Sequence, residues 1–416
     1  MADFTNHRAR EQLMHLLVEA SELEHNLLCC YLYAVFSLKR STAEDINDFE
    51  LAAVARWRKM IMEVAQEEMV HLVLVSNMLV ALGARPHFNR PNFPVAPGYH
   101  PAAIVVALAP FDRQTLDHFI FLERPASEPV ADAERFISEE HYTRGPPHAA
   151  LMPGACDYTT IGEFYGAIRD SFIDVAADMG ERSLFIGDPA MQLSPEVASM
   201  PGVAVITDLR SALSALDTIV EQGEGASVEA ADSHYERFRQ IRSDYQALST
   251  ARGAFAPARP AAQNPVMRRP VTAEGRVHVS APQAVAVLDV ANALYNHMLR
   301  LLTQAFGRTL PSANEQRALL DGAITLMGIF ARVAEHLTTL PASVAAPQVH
   351  AGATFAMLRA TEPLIENVSE RSILAERFDE LAVGLRRAWP GAGAAGLAEA
   401  LDTLGLKFRA ATAAGH

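Results

Sequence analysis

The chain has 416 residues, of which 50% are hydrophobic, 20% charged and 7% aromatic, and a formal net charge of −14. Such a composition belongs to a folded globular protein with room for one large core or two ordinary ones, and excludes a disordered chain. The acidic excess argues against nucleic acid or an anionic membrane as the main partner, because both require clustered Lys and Arg.

The N-terminal stretch MADFTNHRAREQ has no signal-type apolar run, and no segment reaches the roughly 18 uninterrupted apolar residues of a membrane span. The three cysteines, Cys29, Cys30 and Cys156, supply no disulfide framework. A cytoplasmic, reducing location is therefore expected, with no membrane partner.

The first predicted helix runs from about Arg8 to Lys39, with Thr5 or Asn6 as its cap. Glu24 lies on its apolar face, among Leu16, Leu17, Ala20, Leu27, Leu28 and Tyr31. Tyr31 is read as core packing with a reach toward Glu24, and His25 falls one step to the side. A polar turn, Ser41 to Asp48, separates this helix from a second that takes in Arg58 to Leu82. Glu68 and His71 share the inward face of that helix with Ile61, Val64, Ala65, Leu72, Val75 and Leu79. A carboxylate inside an apolar stripe requires neutralisation. Glu-x-x-His on such a face is the half-site of carboxylate-bridged di-metal bundles; the alternative is a buried Glu–His hydrogen bond. Two long helices with a short connection form an antiparallel hairpin.

Gly83 to Pro101 is rich in Pro and Gly and is expected as an ordered crossover or lid, with Phe88, Phe93 and Tyr99 either walling a pocket or packing the loop. Thr115 to Glu123 reads as a short helix. Thr160 and Glu163 match a capping box, so Glu163 is first read as a cap of a helix that continues to about Asp178. Leu184 to Pro201 reads as loop and Asp208 to Gly223 as helix. Glu221 and Glu224 oppose the dipole at the end of that helix unless something neutralises them. Asp232 or Ser233 caps a further helical stretch that carries His234. Thr250 to Pro282 is a Pro- and Arg-rich linker or strap. Ala284 to Phe306, Asn314 to Leu340 and Val368 to Trp389 form a second helical set, closed by a short final helix to about Ala413. Adjacent Glu335 and His336 cannot share a helix face and are taken as surface or interface residues.

The expected fold is thus all-α: a four-helix bundle with long crossovers over residues 1–250, a linker or strap over 251–282, and a C-terminal helical domain over 283–416. A bundle di-metal site requires one Glu from each of two helices and Glu-x-x-His from each of two others. Glu24, Glu68 and His71 fit the first half. Glu163, Glu221, Glu224 and His234 are the candidates for the second, where Glu224 stands in the place of a His.

The segments LEHNLLCCYLYAVFSLK, EEMVHLVLVSNMLVALGARPHFNRPNFP, TIGEFYGAI, LFIGDPAMQ, IVEQGEG and SHYERF, in this order, resemble the ferritin-like domain family of the iminophenyl-pyruvate dimer synthases, the chromopyrrolate-synthase type. HAGATFAM resembles a degraded form of a later segment of that family. The resemblance implies a ferritin-like bundle with metal ligands at Glu24, Glu68, His71, Glu163, Glu221 and His234. It leaves open which of Glu224 and His234 serves. The cofactor it implies is iron, two ions, with manganese as the alternative. The activity it implies is oxidation by O2 of an amino-acid-derived or aromatic small molecule. A homodimer, an iron-storage role without organic substrate, and a decayed metal site stay open at this point.

Overall fold

The computed structural model describes every residue except 1–5, 102–103, 138–143, 145–152, 224–231, 253–254, 272–274, 307, 309–311, 358–362, 367 and 414–416. It forms two compact units, Met1–Arg259 and Pro260–His416.

Unit 1 is built on a hairpin of two long helices, α1 (Asn6–Ser37) and α2 (Asp48–Ala81). The second begins ten residues before Arg58, because Asn47 and Glu50 close a reciprocal capping box: Asn47 Oδ1 accepts from the Glu50 amide at 2.9 Å and Glu50 Oε2 accepts from the Asn47 amide at 2.8 Å. By length and composition α2 could cross a membrane, but 83% of its apolar window is buried inside the protein, as befits a core helix. Around the hairpin stand α3 (Arg113–Leu122), α4 (Ile161–Met179), the short α5 (Glu181–Leu184) and α6 (Pro195–Ala198), then α7 (Leu209–Gln222) and α8 (His234–Arg252).

The helix pairs are not equivalent. On one side α4 packs on α1, α7 packs on α2, and α4 and α7 pack on each other, closing the expected four-helix bundle. On another, α8 packs on α2 and α3 on α8. Tyr31 of α1, Phe119 of α3 and Phe238 of α8 meet there, at ring separations of 4.7, 5.1 and 5.3 Å. The long crossovers 82–112 and 123–160 join the two arrangements. In the first, Phe88 and Phe93 are buried, whereas Tyr99 is exposed and donates to Glu22 Oε2 at 2.5 Å.

The stretch expected as loop after Leu184 contains α6, with Pro195 at its first turn and Ser194 as its cap. It also passes the C-terminal end of α2 so closely that Gly187 has no alternative. A Cβ there would lie 1.8 Å from the Val80 carbonyl oxygen.

Unit 2 consists of α9 (Pro282–Ala305), α10 (Ala313–Leu337), α11 (Val368–Ala388) and α12 (Ala392–Ala413), packed α9 on α10, α9 on α11 and α11 on α12. The stretch read as a linker divides: α8 extends to Arg252, while the part beyond Pro260 is tied into unit 2 by backbone hydrogen bonds. Ala262 donates to His350, and Ser280 to Ala342. Two short strands, β1 (Pro265–Val266) and β2 (Val277–His278), pair in parallel within it. The final helix has 22 residues, longer than expected. Glu335 is buried rather than superficial, and His336 stacks on Trp389 with ring centroids 3.8 Å apart.

Candidate metal centre

Five side chains from four helices converge in the core of unit 1: Glu24 of α1, Glu68 and His71 of α2, Glu123 just past the end of α3, and His234, the first residue of α8. All five have no solvent exposure. Glu68 is the middle of the group. Its Oε2 lies 3.3 Å from His71 Nδ1, and its Oε1 lies 3.2 Å from His234 Nδ1. Beyond these, Glu24 Oε2 is 3.3 Å from His71 Nδ1 and Glu123 Oε2 is 3.4 Å from His234 Nδ1. Two triads result, Glu24–Glu68–His71 and Glu68–Glu123–His234, each with its ligand atoms within 4.8 Å of one another.

Each side chain except Glu68 uses its outer atom to hold position. The Tyr165 hydroxyl donates to Glu24 Oε1, and the Tyr31 hydroxyl donates to Glu123 Oε1. His71 Nε2 meets Gln222 Oε1 at 3.1 Å. His234 Nε2 meets Glu67 Oε2 at 2.9 Å, and Glu67 is itself held by Arg237 at 3.0 Å. With acceptors at both Nε2 positions, each ring carries its outer proton there and turns Nδ1 inward.

The inward atoms are the converse. Glu24 Oε2, both oxygens of Glu68, His71 Nδ1, Glu123 Oε2 and His234 Nδ1 are buried without a hydrogen-bond partner among the described residues. Six such atoms around one space are an exceptional concentration, since buried polar atoms are nearly always satisfied. Three carboxylates and two imidazoles are the donor set that iron or manganese accepts, and the residues present fit that group.

The charges agree with this. Burial, and then the charge of Glu68, push Glu24 up to about 8. Burial also acts against the charged form of Glu68, but the facing rings of His234 and His71 outweigh it and hold this carboxyl well below the usual range. Burial opposes protonation of His71, yet Glu24 and Glu68 raise it to about 10. His234 is raised in the same way against burial, first by the charge of Glu123. Protons thus occupy the place of cationic charge between the carboxylates.

Four residues singled out in the sequence, Glu24, Glu68, His71 and His234, are gathered here. Two others are not. Glu163 lies in the capping box of α4, accepting from the Thr159 amide at 2.8 Å and the Thr160 amide at 3.3 Å; the local cap reading describes it and the ligand role implied by the resemblance does not. Glu221 is exposed on α7, because the neighbouring Gln222 is the residue turned toward His71. Glu224 lies outside the described residues. Glu123 and Gln222 were missed, although a signal was present. Buried Glu123 follows buried Leu116 and Phe119 at helical spacing, and half-buried Gln222 follows buried Ile219. Tyr31 serves both the aromatic core and Glu123. Gly223 closes the site: a Cβ on it would stand 3.0 Å from His234 Nδ1.

Comparison with known proteins follows the same line. The sequence profile of the family described as Ferritin-like matches residues 17–243. Dichlorochromopyrrolate synthase of Lentzea aerocolonigenes is 25% identical over 381 residues, which cover 80% of this chain and 35% of that protein. The 2-imino-3-(indol-3-yl)propanoate dimerase of Chromobacterium violaceum is 27% identical over 413 residues, 91% of this chain and 36% of that protein. The chain therefore spans about a third of the length of these curated relatives. A crystal structure of a ferritin-like protein from Caulobacter vibrioides aligns with a TM-score of 0.44 at 22% identity, covering 75% of this chain and 93% of that one.

Proposed function

This chain belongs to the ferritin-like family, and on that premise we propose that it is an oxidative enzyme holding two iron ions, or two manganese ions, and using O2 on an aromatic, amino-acid-derived small molecule. The observation that carries the reading is Glu68. It is shared by two buried triads whose six inward atoms have no other partner. Glu24 and His71 would hold one ion, Glu123 and His234 the other, and Glu68 both. When bound, the metal pair supplies one-electron and O2 chemistry that side chains alone lack. The protein's own part is to fix its donors through Tyr165, Tyr31, Gln222 and Glu67, and to keep water from the centre. The substrate class rests on the relatives, whose names specify an indole-bearing imino acid and a chromopyrrolate product.

Metal analysis of the purified protein tests the centre: about two equivalents of iron or manganese per chain are expected, and a Glu68→Ala, His71→Ala double variant should retain none. Absence of metal after expression in iron-rich medium would refute the centre. O2 uptake on addition of an indole-bearing imino or amino acid tests the activity. Metal without substrate-dependent uptake would leave a metal-binding protein and remove the enzyme.

A further inference from the structure

Unit 2 contains a cavity of about 360 Å³ between α9 and α11, lined by His297 and Arg300 on one helix and by Ile373, Glu376, Arg377 and Glu380 on the other. His297 is 2% exposed, its ring set edge-on against Phe378 at 4.5 Å. Neither of its nitrogens forms a hydrogen bond of normal geometry among the described residues; the Leu374 carbonyl lies near enough to favour the protonated ring slightly without closing one. Buried imidazoles without partners are uncommon, and one that lines a cavity is available to whatever enters it.

Arg300 is the second unanswered group. It is half-buried, its Nε is sealed from solvent, and it makes no hydrogen bond or ion pair among the described residues. Burial, and then repulsion from Arg377, act against its charge. The carboxylates do not answer it. Glu380 is engaged by Arg377, with Nη1 and Oε2 2.6 Å apart, and Glu376 is exposed at the rim without an ion pair among the described residues. The cavity therefore presents one free guanidinium fork, a neutral imidazole able to donate, and the apolar side chain of Ile373.

We propose that this cavity is a binding site for a small organic carboxylate, the acid group paired with Arg300 and hydrogen-bonded by His297, the apolar body against Ile373. A guanidinium fork matches a planar carboxylate through two parallel hydrogen bonds, and the volume falls in the range of small-molecule sites. The cavity belongs to unit 2, and the residues of the metal centre belong to unit 1.

Calorimetric titration of the full-length chain with sodium benzoate, benzamide, benzylamine and inorganic phosphate at pH 7 tests this. Benzoate is expected to bind, and benzamide, of the same shape without the charge, at least about 10-fold more weakly. Arg300→Gln should weaken benzoate by a similar factor while leaving the unfolding midpoint in place. Glu376→Gln, which removes a negative rim charge, should tighten it. The proposal is overturned if benzoate does not bind at millimolar concentration, if benzamide or benzylamine matches it, if phosphate binds in its stead, or if benzoate affinity is the same in Arg300→Gln.

Discussion

Tyr165 and Glu24 lie 141 residues apart in the chain, and in the fold the Tyr165 hydroxyl donates to Glu24 Oε1. Tyr31 stands in the same relation to Glu123. Each terminal carboxylate therefore has one oxygen held by a phenol and the other turned into the centre. Removing the hydroxyl in Tyr165→Phe leaves a buried oxygen without a donor, so the metal-free protein should lose about 1–3 kcal/mol of stability by denaturant titration. The metal-loaded protein should lose about 10- to 100-fold in affinity by chelator competition. Tyr31→Phe should act in the same direction on the other triad.

Glu123 and Glu163 make opposite predictions. Glu123→Ala should abolish one equivalent of bound metal. Glu163→Ala removes only the reciprocal part of a cap and should leave metal content unchanged, at a cost of about 1 kcal/mol in stability. Metal analysis of the two variants side by side separates the roles; metal loss in Glu163→Ala with an intact fold would contradict the capping assignment.

Gly223→Ala tests the closeness of the α7 end. The added methyl would meet His234 Nδ1 at 3.0 Å, an atom of the second triad. The expected result is a folded protein that binds metal at Glu24, Glu68 and His71 but poorly at Glu123 and His234. Titration followed by the stoichiometric break should show about half the wild-type equivalents.

Metal loading should release protons. With no ion bound, His71 is raised to about 10 and Glu24 to about 8, so both are protonated at pH 6. A ligand must give up its proton to coordinate, so release is full at pH 6 and smaller at pH 9, where Glu24 is already ionised. Apparent affinity should rise with pH across this window. Titration in buffers of different ionisation enthalpy reads the proton count, and equal release at both pH values would refute the assignment.

In unit 2, His297 makes a separate pH prediction. Burial, then Arg300 and Arg377, depress it from about 6.5 to about 3. The folded state thus binds fewer protons than the unfolded one between these values, and stability is lost as pH falls below 6.5. By pH 5 the loss reaches at most about 2 kcal/mol. Denaturant titrations at pH 7 and pH 5 should show it in the wild type, and His297→Asn should flatten it.

The half of the centre that was readable in the sequence is the half set by helix geometry. Glu24 sits in an apolar stripe, and Glu68 and His71 are one turn apart on a single helix, so local periodicity is enough to place them inward. His234 was one of several candidates for the second half and could not be ranked among them, because its place at the first residue of α8 depends on how that helix docks. Glu123 was passed over because it was read only as the end of a helix. On α7, Glu221 and Gln222 differ by one residue and about 100° of rotation. A search for acids selects the charged neighbour, while packing turns the amide inward. Glu163 carried two readings, and the structure shows the short-range one: three hydrogen bonds from Thr159 and Thr160 converge on its Oε2.

The five donors are spread from residue 24 to residue 234, and the last of them opens the final helix of unit 1. No fragment that stops short of α8 contains both triads. The complete centre thus exists only where the most distant segments of unit 1 have closed on each other. An ion that requires both triads would select the finished unit over every partly built form. The centre would then act as a proofreading step on the fold as well as a place for chemistry.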